Sequence, residues 1–388
     1  MNEVRIGIVG VGGMGSGHAN NILTGRIKRV RLAAVCDLVP SKMDRYGDDV
    51  AKFADSRELI RSGKVDAVIV ATPHYFHTTV GIDALENGLH LLTEKPISVH
   101  KADCQRLIAA HKDPKVLFAA MFNQRTDPHY IKVRELIQRG ELGEFRRVNW
   151  IITNWFRTQA YYNSGGWRAT WKGEGGGVLL NQCPHQLDLL QWLCGMPSKM
   201  RAFCNIGKYH DIEVEDEVTA YFEYPNGATG VFVTTTGEAP GTNRLEIAGT
   251  KGKVVIEDGA VRFTRNIVDS DEFLRTCQKG FDQPETWNVS IPTNGGGGQH
   301  VAILQNFVDA ILDGVPLIAP AEEGIRSVEL ANSMLYSSLT NQTVDLPLDA
   351  AAFEKRLQQL ISESTFVKSA ATGAQFDLSG TFNTQGKK

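Results

Sequence analysis

The chain has 388 residues, 42% of them hydrophobic and 22% charged, with a formal net charge of -3. This length and balance predict two domains with well-filled cores, and exclude a general attraction to nucleic acid or to an anionic membrane surface. No apolar run reaches the roughly 18 residues of a membrane span, and the N-terminus enters a strand with no charged leader, so a cytoplasmic location is expected.

The first third alternates strand and helix signals. VRIGIV reads as a buried strand and the residues from Met14 to Leu23 as a helix. RLAAVCD, DAVIVAT, LHLLTE and VLFAAMF read as further strands, separated mostly by helical stretches such as TTVGIDALENG and KADCQRLIAAHK. Strands alternating with helices predict an α/β domain, a parallel sheet covered on both faces. From about residue 145 to 266 the chain is strand-rich, with FRRVNWIITNWF a long strand and EVTAYFEYPNGATGVFVTTT two strands about a Pro-Asn-Gly turn. A helix interrupts at HQLDLLQWLCG, and two more return at HVAILQNFVDAILDG and EEGIRSVELANSMLYSSL. The six cysteines, Cys36, Cys104, Cys183, Cys194, Cys204 and Cys277, form no C-x-x-C pair and read as free thiols, with no structural zinc site.

The turn after the first strand is the most informative stretch. Gly10, Gly12 and Gly15 match G-x-G-x-x-G, with Gly13 and Met14 between them. That spacing fits a plain turn, and it also fits a backbone laid against a pyrophosphate at a helix N-terminus. Asp37 favours the second reading. It ends the second strand, where a carboxylate accepts the ribose hydroxyls of an adenosine. A carboxylate there repels a 2′-phosphate, so NAD is favoured over NADP, although Lys42 and Arg45 lie close by in sequence. Thr72, Pro73, His74 and His77 follow one later strand, and Glu94, Lys95 and Pro96 follow another. Both groups fall at the C-terminal strand ends, where open parallel sheets bind ligands. His74 and His77 have no evident carboxylate or thiolate partners, so no metal is expected.

The set G-x-G-x-x-G, ATPHYFH, TEKP and MFNQR, followed by GGG and a downstream histidine, resembles the Gfo/Idh/MocA oxidoreductases over about residues 4 to 345. The resemblance implies an N-terminal Rossmann dinucleotide-binding domain and a C-terminal α+β domain with a large open, mostly antiparallel sheet. The corresponding boundaries are residues 1–125, 126–365 and a tail, 366–388, which is either flexible or an arm. It also implies homo-oligomers, dimers or tetramers, through the outer sheet face. The activity implied is hydride transfer between NAD and a hydroxyl of a sugar, glycoside or cyclitol.

Lys95 matches the family's EKP lysine. It is expected to handle the hydroxyl proton or orient the hydroxyl, with a pKa lowered by desolvation, and the Lys95-Pro96 bond is expected to be cis. Glu94 either orients Lys95 or touches the nicotinamide ribose. His185 matches the family histidine as an acid/base or hydroxyl ligand. The family aspartate four residues earlier is Asn181 here, so His185 should titrate low. Trp167 and Arg168 match a pair near the nicotinamide half, and Asn123 a residue near the carboxamide. Arg125 reaches either a substrate hydroxyl or an interdomain carboxylate. Asn154, Trp155, Arg157, Tyr161 and Tyr162 are read as facing the cleft, with Asn154, Arg157 and Tyr161 binding substrate together with Asn181. His300 either closes over the substrate or merely starts a helix. A redox-neutral, NAD-dependent glycosidase or lyase working through a transient keto-sugar is the alternative, and a catalytically silent sugar-binding protein is disfavoured by intact Lys95 and His185.

Overall fold

The computed structural model describes residues 2–293 and 295–368. The expected α/β domain is present. β1 (Val4–Val9), β2 (Val30–Cys36), β3 (Ala51–Phe53), β4 (Ala67–Val70), β5 (His90–Thr93) and β6 (Phe118–Ala120) form one sheet in the order β3-β2-β1-β4-β5-β6. Every pairing in it is parallel. α1 (Gly13–Leu23), α2 (Ser56–Ile60), α3 (Tyr75–Glu86) and α4 (Lys101–Ala110) connect its strands. Val4, Ile6, Ile8, Val68 and Ile69 are wholly buried, as two-sided cover of a parallel sheet requires. β3 and α2, three and five residues long, are too short to leave a periodic signal.

The rest of the chain supplies α5 (Pro128–Gln138), β7 (Phe145–Ile152), α6 (Gln159–Asn163), α7 (Pro184–Cys194), β8 (Lys199–Ile206), β9 (Glu215–Glu223), β10 (Thr229–Thr235), β11 (Asn243–Gly249), β12 (Gly252–Glu257), β13 (Ala260–Asn266), α8 (Ser270–Thr276), β14 (Thr286–Ile291), α9 (Gln299–Asp313), α10 (Gly324–Thr340), β15 (Val344–Asp345) and α11 (Ala350–Glu363). Its nine strands make a second sheet, β14-β13-β12-β11-β7-β10-β9-β8-β15. The pairings are antiparallel except β7 with β10. Side chains alternate in and out, Ala202, Phe222 and Trp150 inward beside Phe203, Tyr221 and Ile151 outward. α7 and α10 pack together on the inner side.

β7 stops at Ile152, short of the NWF stretch read as strand. Ile152 and Thr153 are both buried, which breaks the two-residue alternation, and Trp155 then turns inward. α9 adds Ile303, Leu304, Phe307 and Val308 to the core of the first sheet, although it follows that sheet by almost two hundred residues. The 366–388 tail lies, from residue 369 on, outside the described residues. Among the described residues, no helix is long and apolar enough to cross a membrane.

Candidate active site

β2 and β4 lie on opposite sides of β1, so the strand order reverses at β1. A crevice opens where such a reversal occurs, beyond the strand C-termini. A cavity of about 930 Å³ fills it. It crosses from Asp37 after β2 to Lys95 after β5, three strand spacings or about 14 Å, and is roofed by residues of the second half, among them Trp155, Tyr161, Trp167 and His185.

The glycine turn is built for close approach. Gly10 has φ +88, and a Cβ there would lie 2.7 Å from the Ala71 carbonyl oxygen. A Cβ on Gly15 would meet the Gly10 carbonyl oxygen at 1.9 Å, so α1 can sit this tightly on β1 only with glycine. Gly12 has open space on its Cβ side and no side chain caps the helix, so the first N–H groups of α1 are left for an anion. At the far end, Asp37 accepts from the Val11 N–H at 3.1 Å and the Val39 N–H at 2.9 Å, with the Lys42 ammonium 3.3 Å away. A carboxylate offers about four lone-pair sites; the two N–H groups take two, and the Lys42 ammonium, long at 3.3 and 3.4 Å, is the partner that two ribose hydroxyls would displace. Thr72 Oγ1 and Asn123 Oδ1 are buried polar atoms without a protein partner. These features fit an extended dinucleotide.

At the β5 end the charged groups interlock. Glu94 Oε1 meets His18 Nε2 at 2.7 Å, and Glu94 Oε2 accepts the Lys95 N–H at 3.2 Å. Against the cost of burial, His18, His300 and Lys95 hold the Glu94 carboxyl down to about 2. The Lys95-Pro96 bond is cis, and Lys95 Nζ donates to the Asn181 carbonyl oxygen at 2.7 Å. Burial lowers the Lys95 pKa, with Arg168 and Arg157 pushing the same way against the attraction of Glu94 and Glu174. His185 is lowered well below the ordinary histidine value, first by burial and then by the Lys95 charge and His300. Its Nδ1 has no partner. His300 lines the cavity and is lowered to about 4, mainly by burial.

The cavity brings together Gly10, Gly12, Gly13, Met14, Asp37, Thr72, Pro73, Glu94, Lys95, Asn123, Trp167 and Arg168, and also Arg157, Tyr161, Asn181, His185 and His300. It does not bring in Arg125 or Asn154. The Arg125 guanidinium makes a bidentate pair with Asp188 at 2.6 and 2.7 Å and reaches Glu323 at 2.6 Å. Of its two readings, the interdomain carboxylate is the one found, and Arg125 is corrected to a clamp between the end of β6 and α7. Asn154 is corrected likewise: it lies off the cavity, with Oδ1 buried and unpartnered. His77 touches the cavity, but its nitrogens face the Pro96 and Thr72 carbonyl oxygens at 2.7 and 2.8 Å, which leaves none for a cofactor.

Glu174 was not anticipated. It is buried behind Asn181, whose amide nitrogen donates to it, and it accepts the Ala169 N–H. The one sequence signal was an acid set directly before three glycines. Lys42, Arg57 and Gln182 also line the cavity. Lys368, just past α11, donates to the carbonyl oxygens of Gly165 and Arg168 at 2.6 and 2.7 Å, so the end of the described chain holds the loop that carries Trp167.

Residues 4–122 match the oxidoreductase family model with an NAD-binding Rossmann fold, and residues 130–255 match the GFO/IDH/MocA C-terminal domain. An inositol 2-dehydrogenase of Saccharopolyspora erythraea is 35% identical over 347 residues, 81% of this chain and 96% of that one. A levoglucosan dehydrogenase of Pseudarthrobacter phenanthrenivorans is 24% identical over 89% of this chain and 99% of its own. Among solved structures, the WlbA dehydrogenase of Chromobacterium violaceum in complex with NADH and UDP-GlcNAcA superimposes with a TM-score of 0.76 at 26% identity, covering 90% of this chain and 97% of that one. With both halves matched in order and the strand-end residues gathered on one cavity, the chain belongs to the Gfo/Idh/MocA family of oxidoreductases.

Proposed function

We propose that the protein is an NAD-dependent dehydrogenase that moves a hydride between a ring hydroxyl of a sugar or cyclitol and the nicotinamide. The observation that carries this is the single cavity joining Asp37 to Lys95 and His185. The relatives named as inositol and levoglucosan dehydrogenases, and the NADH-bound WlbA structure, support the cofactor and the class of substrate. Asp37 would hold the adenosine ribose, the N–H groups at the start of α1 the pyrophosphate, and Asn123, Trp167 and Arg168 the nicotinamide half. The cofactor's contribution is hydride acceptance at its nicotinamide ring.

The chain itself handles the proton. Lys95, desolvated and tethered to the Asn181 carbonyl oxygen, takes the hydroxyl proton in its neutral form. His185, neutral at physiological pH, offers an imidazole nitrogen that orients the same hydroxyl. Residues 1–125 would hold most of the cofactor and supply Lys95, while 126–365 would close over its nicotinamide end and bind the substrate, with α9 packed back onto the first sheet. Phe203 and Tyr221, exposed on the outer face of the nine-stranded sheet, suit a homo-oligomer formed through that face; a cytoplasmic location without nucleic-acid or membrane partners belongs to the same reading.

The test is a panel of polyols, sugars and glycosides supplied with NAD, read as NADH formation. Stoichiometric NADH from a free sugar or cyclitol is the expected result. Turnover of a coloured glycoside on trace NAD, with no net NADH, would replace the dehydrogenase with a redox-neutral elimination.

A further inference from the structure

The substrate end of the cavity carries more positive than negative charge. Lys95, Arg157 and Arg168 all line it. The acids on the cavity wall are Asp37, Asp55, Asp83 and Glu94. The first three belong to the β2, α2 and α3 side, where the adenosine would lie, and Glu94 is tied to His18. Glu174 lies behind Asn181, with one oxygen taken up by the Asn181 amide and the other by the Ala169 N–H.

Neither arginine forms an ion pair with a carboxylate among the described residues. Arg157 places Nη1 on the carbonyl oxygens of its own neighbours, Trp155 at 3.4 Å and Phe156 at 2.9 Å. Its Nε is buried with no partner at all. Arg168 donates to the Tyr161 hydroxyl at 2.9 Å and lies over the Trp167 ring at 4.7 Å. Both guanidiniums lie over the Tyr161 ring, Arg157 at 5.1 Å and Arg168 at 4.7 Å from its centroid. A half-buried guanidinium without a counter-charge is costly unless a ligand supplies one. Arg168, beside Trp167, is placed for the cofactor. That leaves Arg157, with a donor fork matched to a carboxylate or a phosphate.

We infer that the substrate is an acidic sugar or cyclitol derivative, carrying a carboxylate or a phosphate ester, and that Arg157 binds this anion beside Tyr161. The inference rests on the dehydrogenase reading for the site and names its substrate class. It makes Arg157 the residue that sets specificity, and it assigns proton handling to Lys95 and anion recognition to a different cation of the same cavity.

The test is calorimetry on the NADH-loaded protein with matched pairs: D-glucose against D-glucuronate, D-galactose against D-galacturonate, and myo-inositol against its 1-phosphate. At least one acidic member should bind at least about tenfold tighter than its neutral partner, the effect of one charge-assisted hydrogen bond. The pair that responds tells carboxylate from phosphate. The preference should shrink with added salt, collapse in Arg157→Gln and return in part in Arg157→Lys. Neutral members binding as well as or better than acidic ones in every pair overturns the inference, as does failure of all the acidic members to bind. Where Arg157→Gln fails to fold, the matched pairs and the salt series on the wild-type protein still test the anion, and Arg157→Lys, which keeps the charge but not the fork, tests the place of Arg157. NADH formation from neutral sugars alone removes the anion and leaves the dehydrogenase. Acid-selective binding with no NADH formed from any compound leaves the anion site and removes the dehydrogenase.

Discussion

The Asn181 side chain gives its N–H to Glu174 and turns its carbonyl oxygen towards Tyr161 and Gln182, both 3.2 Å away. A carboxylate expected at position 181 itself is thus set one hydrogen bond further back. It fixes the amide and does not touch the imidazole of His185. Glu174→Gln keeps the volume but replaces an acceptor-only group with one that also donates. Asn181 then loses its fixed orientation. The expected outcome is a fall in kcat/KM of about tenfold, as for one misdirected charge-assisted hydrogen bond, with the melting curve close to wild type. An unchanged kcat/KM would remove Glu174 from the positioning of the site.

Lys95→Met should lower kcat by about two to four orders of magnitude, the usual effect of a positioned proton acceptor, and leave NADH affinity within about threefold. Titration of NADH fluorescence checks the second part. In the proposed binding mode the adenosine and pyrophosphate would be held at Asp37 and α1, away from Lys95 at the other end of the cavity.

The pH profile follows from the same residue. Burial lowers the Lys95 pKa from its ordinary 10.5, so the neutral amine appears as pH rises through that lowered value. Oxidation should speed up along a basic limb with its midpoint below 10.5, and the limb should vanish in Lys95→Met. His185, held well below 6.5 by burial and by the Lys95 charge, contributes no limb near 6.5. A kcat/KM profile that falls as pH climbs from 7 to 9 would contradict the assignment of Lys95 as the base.

What the sequence made legible was local. Gly10, Gly12, Gly15 and Asp37 report themselves because a strand, a turn and a strand end lie within one short stretch. Lys95 and His185 were legible as motif positions. Arg125 was legible only as two alternatives, because the choice between them depends on Asp188 and Glu323, 63 and 198 residues further on. The low titration of His185 was expected from the exchange of a carboxylate for Asn181. Burial and Lys95 bring it about instead, and no residue count foretells them. Glu174 becomes a site residue only when the glycine turn folds it behind Asn181.

Asp37 tests the adenosine end. Lys42 already lies against it, and Arg57 lines the same part of the cavity. In Asp37→Ser the repulsion of a 2′-phosphate is gone and two cations stay in place. KM for NAD should rise, and the ratio of kcat/KM for NADP over NAD should grow by about a hundredfold, as expected when a hydrogen-bonding partner is exchanged for a charge clash relieved. Steady-state kinetics with both cofactors on one substrate reads this directly, and a ratio that does not move would place the ribose elsewhere.

Arg125 and Asp188 give the last expectation, one of stability. Their bidentate pair is 1% exposed on both sides, so removing one partner strands a charge in the interior. Arg125→Ala should cost about 3–5 kcal/mol, and Asp188→Ala a similar amount. The double variant should recover part of the loss, because neither charge is then left alone, although Glu323 still faces the gap. Urea unfolding of the four proteins provides the cycle. Because α7 also carries His185, the single variants should lower kcat more than they raise KM, as expected when the helix shifts rather than when a substrate contact is lost. Additive losses in the cycle, or a rise in KM alone, would return Arg125 to the substrate.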